Sequence, residues 1–436
     1  MQTRKLMAGA LAVGLVTAAA ACGSGDEDAG GGGGGDGDGG DTVELVVESW
    51  RADDAAVWED TIIPAFEESH EGIELTFQPT APTEYNAALE SRLDGGEAGD
   101  IIACRPFDIS LELYEAGHLE AVDDLEGMDA FGDVARSGWV TDDGDTTYCV
   151  PMASVIHGFY YNKDVFDQLG LEPPTTMDEL HTVLDAIAAD GSVTPIAQGT
   201  VDQWDIAEVD YTGIGPNYWA GEDGRQALID GSAKFTDPEY VAPFEELASW
   251  GEFMPDGYEA LSYDDAKVLF TNGDGAIFPG GSWEITGFED NAGFELGVFR
   301  PPVPGGAGDP CFISDHVDIG MGMNADTEHA DEARTFLEWV ASEEFATLYT
   351  NELPGFFSLR DDAVDVDNAL ASEFVSWRDD CDSTIRLPAQ KLNRGDPALW
   401  DELYAAASEV VNGTLTPTDA GQRLQDGLES WYTPGG

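Results

Sequence analysis

The chain of 436 residues carries 87 Asp and Glu against 18 Lys and Arg, a formal net charge of -69, and 42% of it is hydrophobic. That length and apolar content suffice for two cores, while the charge makes DNA, RNA and anionic lipid surfaces poor partners. The acids are spread over every segment, which reads as a whole-surface adaptation to salt rather than a docking patch for a cation. At about 1 M salt the Debye length shrinks to roughly 3 Å and self-repulsion is screened.

In chain order, Arg4 and Lys5 precede an apolar run and small residues that end at Ala19-Ala20-Ala21-Cys22. Residues 1–21 read as a secretory signal, too short to span a membrane, with a lipoprotein cleavage site that leaves Cys22 as the acylated first residue. Residues 22–41, Gly/Asp-rich with a single Ala, cannot bury a core and form a flexible tether. A lipid at one end and a globular body at the other predict an extracytoplasmic protein, held to the outer face of the cell membrane by its lipid alone. Outside the cell, Cys104, Cys149, Cys311 and Cys381 suggest two disulfides with three possible pairings. Cys104–Cys149 with Cys311–Cys381 is favoured, because each bond then staples neighbouring segments. No cysteine spacing resembles a zinc site and the six histidines are scattered, so neither metal nor cofactor is expected.

The body opens on a strand, Thr42 to Glu48, alternating Val43, Leu45 and Val47. A helix with Trp58, Ile62 and Phe66 on one face follows, kinked or started late at Pro64. A strand at Ile73–Gln78, a helix from Thr83 with Tyr85, Leu89 and Leu93, and a short strand at 99–103 complete a parallel-sheet signal. Ligands of open sheets sit at the carboxyl ends of the strands, which puts Trp50, Arg51, Arg105, Phe107 and Asp108 on a possible rim. Tyr148–Met152 and Gly158–Tyr161 read as two strands, with Pro151 arguing for a crossing segment rather than a central ladder position. Helices are expected over Asp178–Ala189, Gly224–Asp230, Ala242–Phe253 and Tyr263–Asn272. One long helix is expected over Glu328–Thr350, and two more close the chain near Pro397–Val411 and Pro417–Trp431.

Several of these stretches occur in an order that resembles one family. Val150-Pro151 followed by Tyr160-Tyr161-Asn162-Lys163 and the Leu171–Leu180 run resembles the crossover of the bacterial extracellular solute-binding proteins of the maltose-binding type, although Cys149 stands where that family has glycine. Val268–Glu284, with its Gly281-Ser282-Trp283 loop, is similar to the family's helix–strand–loop signature. Pro301–Gly306 and Asn351–Arg360 match its later turns, so that the resemblance runs from Val43 to Trp431. It implies a periplasmic-binding-protein-like type II architecture, two α/β lobes joined by crossover hinge segments. The lobes expected are 42–152 plus 316–358 and 153–315 plus 359–436. It further implies a monomeric substrate-binding component of an ABC importer, whose closure over a sugar or oligosaccharide is read by a membrane permease.

Enzyme motifs fail one by one. Glu284 stands where a nucleophile elbow needs glycine, Gly213-Ile214-Gly215 lacks the third glycine of a dinucleotide fingerprint, and no Walker loop or His-Glu-x-x-His occurs. A binder, not an enzyme, is expected. Sugars need a flat aromatic wall and planar hydrogen-bonding groups. Trp283 is the first candidate for that wall. Trp50, Tyr85, Trp204, Trp219 and Phe356 are further aromatic candidates, with Arg51, Arg105, Asp108, Asp315 and His316 as polar ones. Trp58, Trp250, Trp339 and Trp400 fall on helical apolar spacings and read as core. Two alternatives stay open: a binder of a polyol or an anionic solute, such as a uronate or glycerol phosphate, held by Arg51 and Arg105, and a secreted glycan-processing enzyme.

Overall fold

Leu45 and Val47, at alternate positions of β1 (Val43–Ser49), are fully buried, the period of a strand with one face on a core. A computed structural model describes residues 42–434 apart from 363; the signal segment, Cys22 and the tether lie outside the described residues. β1 pairs in parallel with both β2 (Ile73–Pro79) and β3 (Ile101–Cys104). Between β1 and β2 a π turn, Trp58–Ile62, runs into the helix Ile63–Ser69. Pro64 lies within a helical run that begins at Ala55, and the π turn immediately before it is where the ladder adjusts to the missing N–H.

The next strands are β4 (Val150–Asn162), β5 (Thr194–Ile196), β6 (Gly275–Gly281), β7 (Leu296–Phe299) and β8 (Phe312–Met323). Two short strands follow, β9 (Phe357–Ser358) and β10 (Asp382–Thr384). The main path runs β2-β1-β3-β8-β4-β6-β5, with β7 and β9 branching from β4 and β10 from β8. β4 and β8 are the long members. The first half of β4 pairs antiparallel with β8, and its second half with β6 and β7. The cores change over on the same strand: Val155 belongs to the first hydrophobic cluster, while Ile156 and Phe159 belong to two others. Likewise Ile313 of β8 packs in the second lobe and Val317 in the first.

Two expectations are corrected. The stretch read as two strands is one strand of 13 residues, with Pro151 inside it opposite Gly320. The ladder absorbs the proline by shifting register between Pro151 and Ala153 and again before Ser154, a bulge where no N–H is required. Nearly every residue of β4 is buried, so the alternation that marks a strand in sequence is missing. The single helix expected over Glu328–Thr350 is two, Ala330–Val340 and Glu343–Glu352. Ser342 separates them as the N-cap of the second, its Oγ accepting from the Phe345 N–H at 3.1 Å.

Both favoured disulfides are present. Cys104–Cys149 joins the end of β3 to the residue before β4, and Cys311–Cys381 joins the residues just before β8 and β10. Among the described residues no helix is long and apolar enough to cross a membrane.

Candidate functional site

The carboxyl ends of β1 and β6 each deliver a tryptophan. β6 ends in Gly281, and Trp283 follows in a 3-10 turn, Ser282–Glu284. The indole folds back over Gly281, where any Cβ would fall far inside van der Waals contact with the six-membered ring. Its Nε1 donates to the Tyr263 hydroxyl at 3.3 Å, which itself donates to Glu284 Oε1 at 2.9 Å. The ring of Trp204 lies 4.6 Å from that of Tyr263. Trp204, Tyr263 and Trp283 thus form one aromatic run on the second lobe. Burial raises the pKa of the Glu284 carboxyl, an effect opposed by Lys267, whose Nζ is 3.6 Å away.

On the first lobe Trp50 is nearly buried, 5.6 Å from the ring of Tyr85, with the Arg105 guanidinium 4.5 Å above its own ring. Arg105 donates to Asn86 Oδ1 and to the Pro82 carbonyl, both neutral groups. Arg51 is committed differently: its Nε and Nη2 both reach Asp54 at 2.7 Å, and its guanidinium lies 4.7 Å over Phe356. Between the lobes, His157 of β4 and His316 of β8 meet edge to face at 5.0 Å, and His157 meets Trp283 at 5.5 Å. Burial, with the nearby Arg386 charge, holds both imidazoles well below their ordinary pKa. They are therefore neutral at pH 7, each with one N–H to donate and one nitrogen to accept. Both ring nitrogens of His157 and Nε2 of His316 have no hydrogen-bond partner within the protein.

Arg386 joins Glu208 at 2.7 Å to Asp318 at 3.5 Å, and the Tyr404 hydroxyl donates to Glu208. Gln198 lies just past the carboxyl end of β5. Beside it are Asp205 and Asp210, on the π turn Asp205–Tyr211. Both aspartates are buried, and burial pushes Asp205 up to about 7 and Asp210 well above the carboxylate range. Among the described residues no group of three or more His, Cys, Asp or Glu is placed to hold a metal ion.

The expected residues divide. Trp283 and Trp204 lie together on the second lobe, Trp50, Arg51 and Arg105 on the first, and His316 on a strand between them. Tyr85 and Phe356 lie one layer behind, fully buried: the Tyr85 hydroxyl is spent on the Ala103 carbonyl at 2.8 Å, and Phe356 underlies Arg51. Trp219 is in the second-lobe core, stacked 5.7 Å from Tyr240. Asp315 points away from His316, because consecutive strand residues face opposite sides, and is held by Arg378 and Ser383. Asp108 is clasped by Arg394 at 2.6 Å, which also holds Asp142. The sequence reading missed His157, Gln198, Asp205, Glu208, Asp210, Tyr263, Glu284, Asp318, Arg386 and Tyr404. Two of them left a signal: His157 is a lone polar residue in an apolar run, and Asp318 shares its strand face with His316. A separate open groove of about 890 Å³, lined by Tyr161, Phe294, Trp377 and the edge of β7, shares none of these residues.

Residues 49–347 match the family model described as bacterial extracellular solute-binding protein. The chain belongs to that family. Its members are extracellular, and the match takes in Trp50, Trp204, Tyr263, Trp283 and the whole of both long strands, but not Arg386 or Tyr404. Among relatives, a multiple sugar-binding protein of Streptococcus mutans is 23% identical over 62% of this chain and 64% of its own length. The xylose/arabinose-binding protein XacG of Haloferax volcanii is 24% identical over 55% of this chain and 53% of its own. The chain thus spans less than two thirds of the curated relatives it matches. A chitin oligosaccharide binding protein superposes with a TM-score of 0.75 at 21% identity, covering 90% of this chain and 99% of its own. The binding protein RafE in complex with raffinose does so with a TM-score of 0.75 at 21% identity, over 89% and 99%. These superpositions establish the type II two-lobed α/β fold.

Proposed function

We propose that this protein is the substrate-binding component of an ABC importer, taking a sugar or oligosaccharide between its two lobes and presenting it to a membrane permease. The observation that carries the reading is the aromatic run Trp204–Tyr263–Trp283 at the carboxyl end of β6, beside buried polar groups that have no partner in the protein. An indole face suits the C–H face of a pyranose, and neutral imidazoles and carboxylates suit its hydroxyl rim. Binding and release are its whole chemistry, with no catalytic residue and no cofactor. The lobes are 42–152 plus 316–358 and 153–315 plus 359–436, and β4 and β8 serve as hinges. The chain acts as a monomer, anchored to the outer face of the membrane through Cys22 and the tether, with an acidic surface suited to salt.

A thermal-shift screen of the purified protein in high salt, against mono- and oligosaccharides, polyols and uronates, tests this. A ligand at 100 times its Kd adds about 2.7 kcal/mol to stability. One sugar class raising the midpoint supports the reading; a flat response to every carbohydrate from a folded protein refutes it. Arg105 sustains a second reading, an anionic solute, since its hydrogen bonds go to neutral groups, whereas Arg51 is already neutralised by Asp54. A uronate or a glycerol phosphate raising the midpoint where neutral sugars do not would select it.

A further inference from the structure

Asp205 and Asp210 are five residues apart. On an α-helix five steps of about 100° would set them roughly 140° apart around the axis, on different faces. They lie instead on a π turn, whose i→i+5 bonds bring residues five apart nearly into line. Such turns are frequent at functional sites. Here the turn brings two carboxylates against the Gln198 side chain, each of the three residues no more than 2% exposed.

None of five oxygens has a partner in good hydrogen-bonding geometry within the protein, both of Asp205, both of Asp210 and Oε1 of Gln198; the Gln198 amide nevertheless lies close enough to both carboxyls to lower their pKa against the effect of burial. The charge acting on Asp210 comes from Asp205, and that on Asp205 from Asp202; no basic side chain offsets either. The cluster has acceptor oxygens to spare and no base beside it, and burial without a base is what lifts both carboxyls toward their protonated form. Its neighbour Tyr263 carries the aromatic wall with Trp204. The π turn also packs on β6, whose end bears Trp283. The cluster therefore sits on the cleft side of the second lobe, at the carboxyl ends of β5 and β6.

We propose that Gln198, Asp205 and Asp210 form a subsite for a protonated amine, so that the solute taken up in the cleft is an amino sugar. The proposal rests on the sugar reading given above and narrows it. An ammonium group has three N–H donors for the acceptor oxygens of three side chains, and its positive charge favours the ionised form of both buried carboxyls. A hydroxyl in its place donates one hydrogen and brings no charge to hold the carboxyls ionised. The faces of Trp204 and Tyr263 favour a cation for the same electrostatic reason. A metal ion is less well served, with only two carboxylates and one amide oxygen converging. The acidic surface draws cationic solutes toward the cleft. Entry requires movement around the cluster, since its three residues are no more than 2% exposed.

The test is titration calorimetry of the purified protein with glucosamine and glucosamine oligomers, each paired with its glucose and N-acetylglucosamine counterpart at the same length, pH 7 and ionic strength. The amine is expected to bind roughly tenfold more tightly than either neutral partner. In Asp205→Asn/Asp210→Asn that ratio should fall to near one, whatever happens to absolute affinity. The wild-type ratio requires no variant, so a misfolding double mutant does not shield the proposal. Equal or weaker binding of the amine overturns it, as does a ratio that survives in the double variant. Calcium chloride raising the melting midpoint of the wild type, but not of the double variant, over sodium chloride of equal ionic strength would also overturn it, in favour of a metal site. If neutral sugars bind and amines bind no better, only this inference fails; if no sugar binds, the reading beneath it fails too.

Discussion

Replacing Gly281 by alanine tests the wall without deleting an aromatic group. Its backbone, at φ -106 and ψ 167, is ordinary extended conformation, so alanine brings no backbone strain. What it brings is a methyl group inside the Trp283 ring, when carbon atoms need about 3.5 Å. The indole cannot simply slide away, being tied to Tyr263 at 3.3 Å and set edge-on to His157. Either the end of β6 shifts or the indole rotates off its partners, at an expected cost of about 1–3 kcal/mol in stability. A displaced platform also loses its contact with a sugar ring, worth about 0.5–1.5 kcal/mol, or roughly a two- to tenfold rise in Kd. Urea unfolding should show a lower midpoint at unchanged slope. Calorimetry with the best sugar from the screen should show the weaker binding. Wild-type stability together with wild-type affinity would refute the argument that Gly281 sets the pose of Trp283 and that Trp283 faces the ligand.

Three further outcomes are expected. Opening Cys311–Cys381, which closes a 70-residue separation, should cost about 4.4 kcal/mol on the chain-entropy estimate, and Cys104–Cys149, across 45 residues, about 4.0; paired Cys→Ser variants in denaturant melts check this. Arg394→Gln should destabilise by about 1.5–3 kcal/mol, chiefly by leaving the buried Asp108 without its charged donor. Its hydrogen bond and charge also hold the Asp142 carboxyl below the usual range, a contribution present above about pH 4 and lost as pH falls through the folded value, so the gap between variant and wild type should narrow in acid melts. Asp205 and Asp210 carry the opposite sign. Burial raises both, so between the unfolded value near 3.9 and the folded value of about 7 for Asp205 the native state binds more protons than the unfolded one. Stability of the ligand-free protein should therefore fall as pH rises through that window, and Asp205→Asn should flatten the fall; a variant as pH-sensitive as the wild type would contradict it.

The sequence by itself determined the family and the plan of the fold, because both are written in local order. Alternation in β1, helical spacing before and after it, and the run from Val268 to Trp283 each report a face or a turn within a few residues. Even the disulfides followed from which segments are neighbours. The candidate site was legible mainly where a residue stands at a strand end, as Trp50, Arg51 and Trp283 do. What tertiary structure decided was which polar groups lack partners. With 87 acids no carboxylate is informative until its surroundings are known. Asp108 and Asp315 turn out to be taken by Arg394 and Arg378 from the far end of the chain. Asp205 and Asp210 are left without a base. That difference depends on contacts between residues as much as 286 positions apart and on a π turn that realigns a helix face. Nothing in the spacing of residues along the chain encodes either.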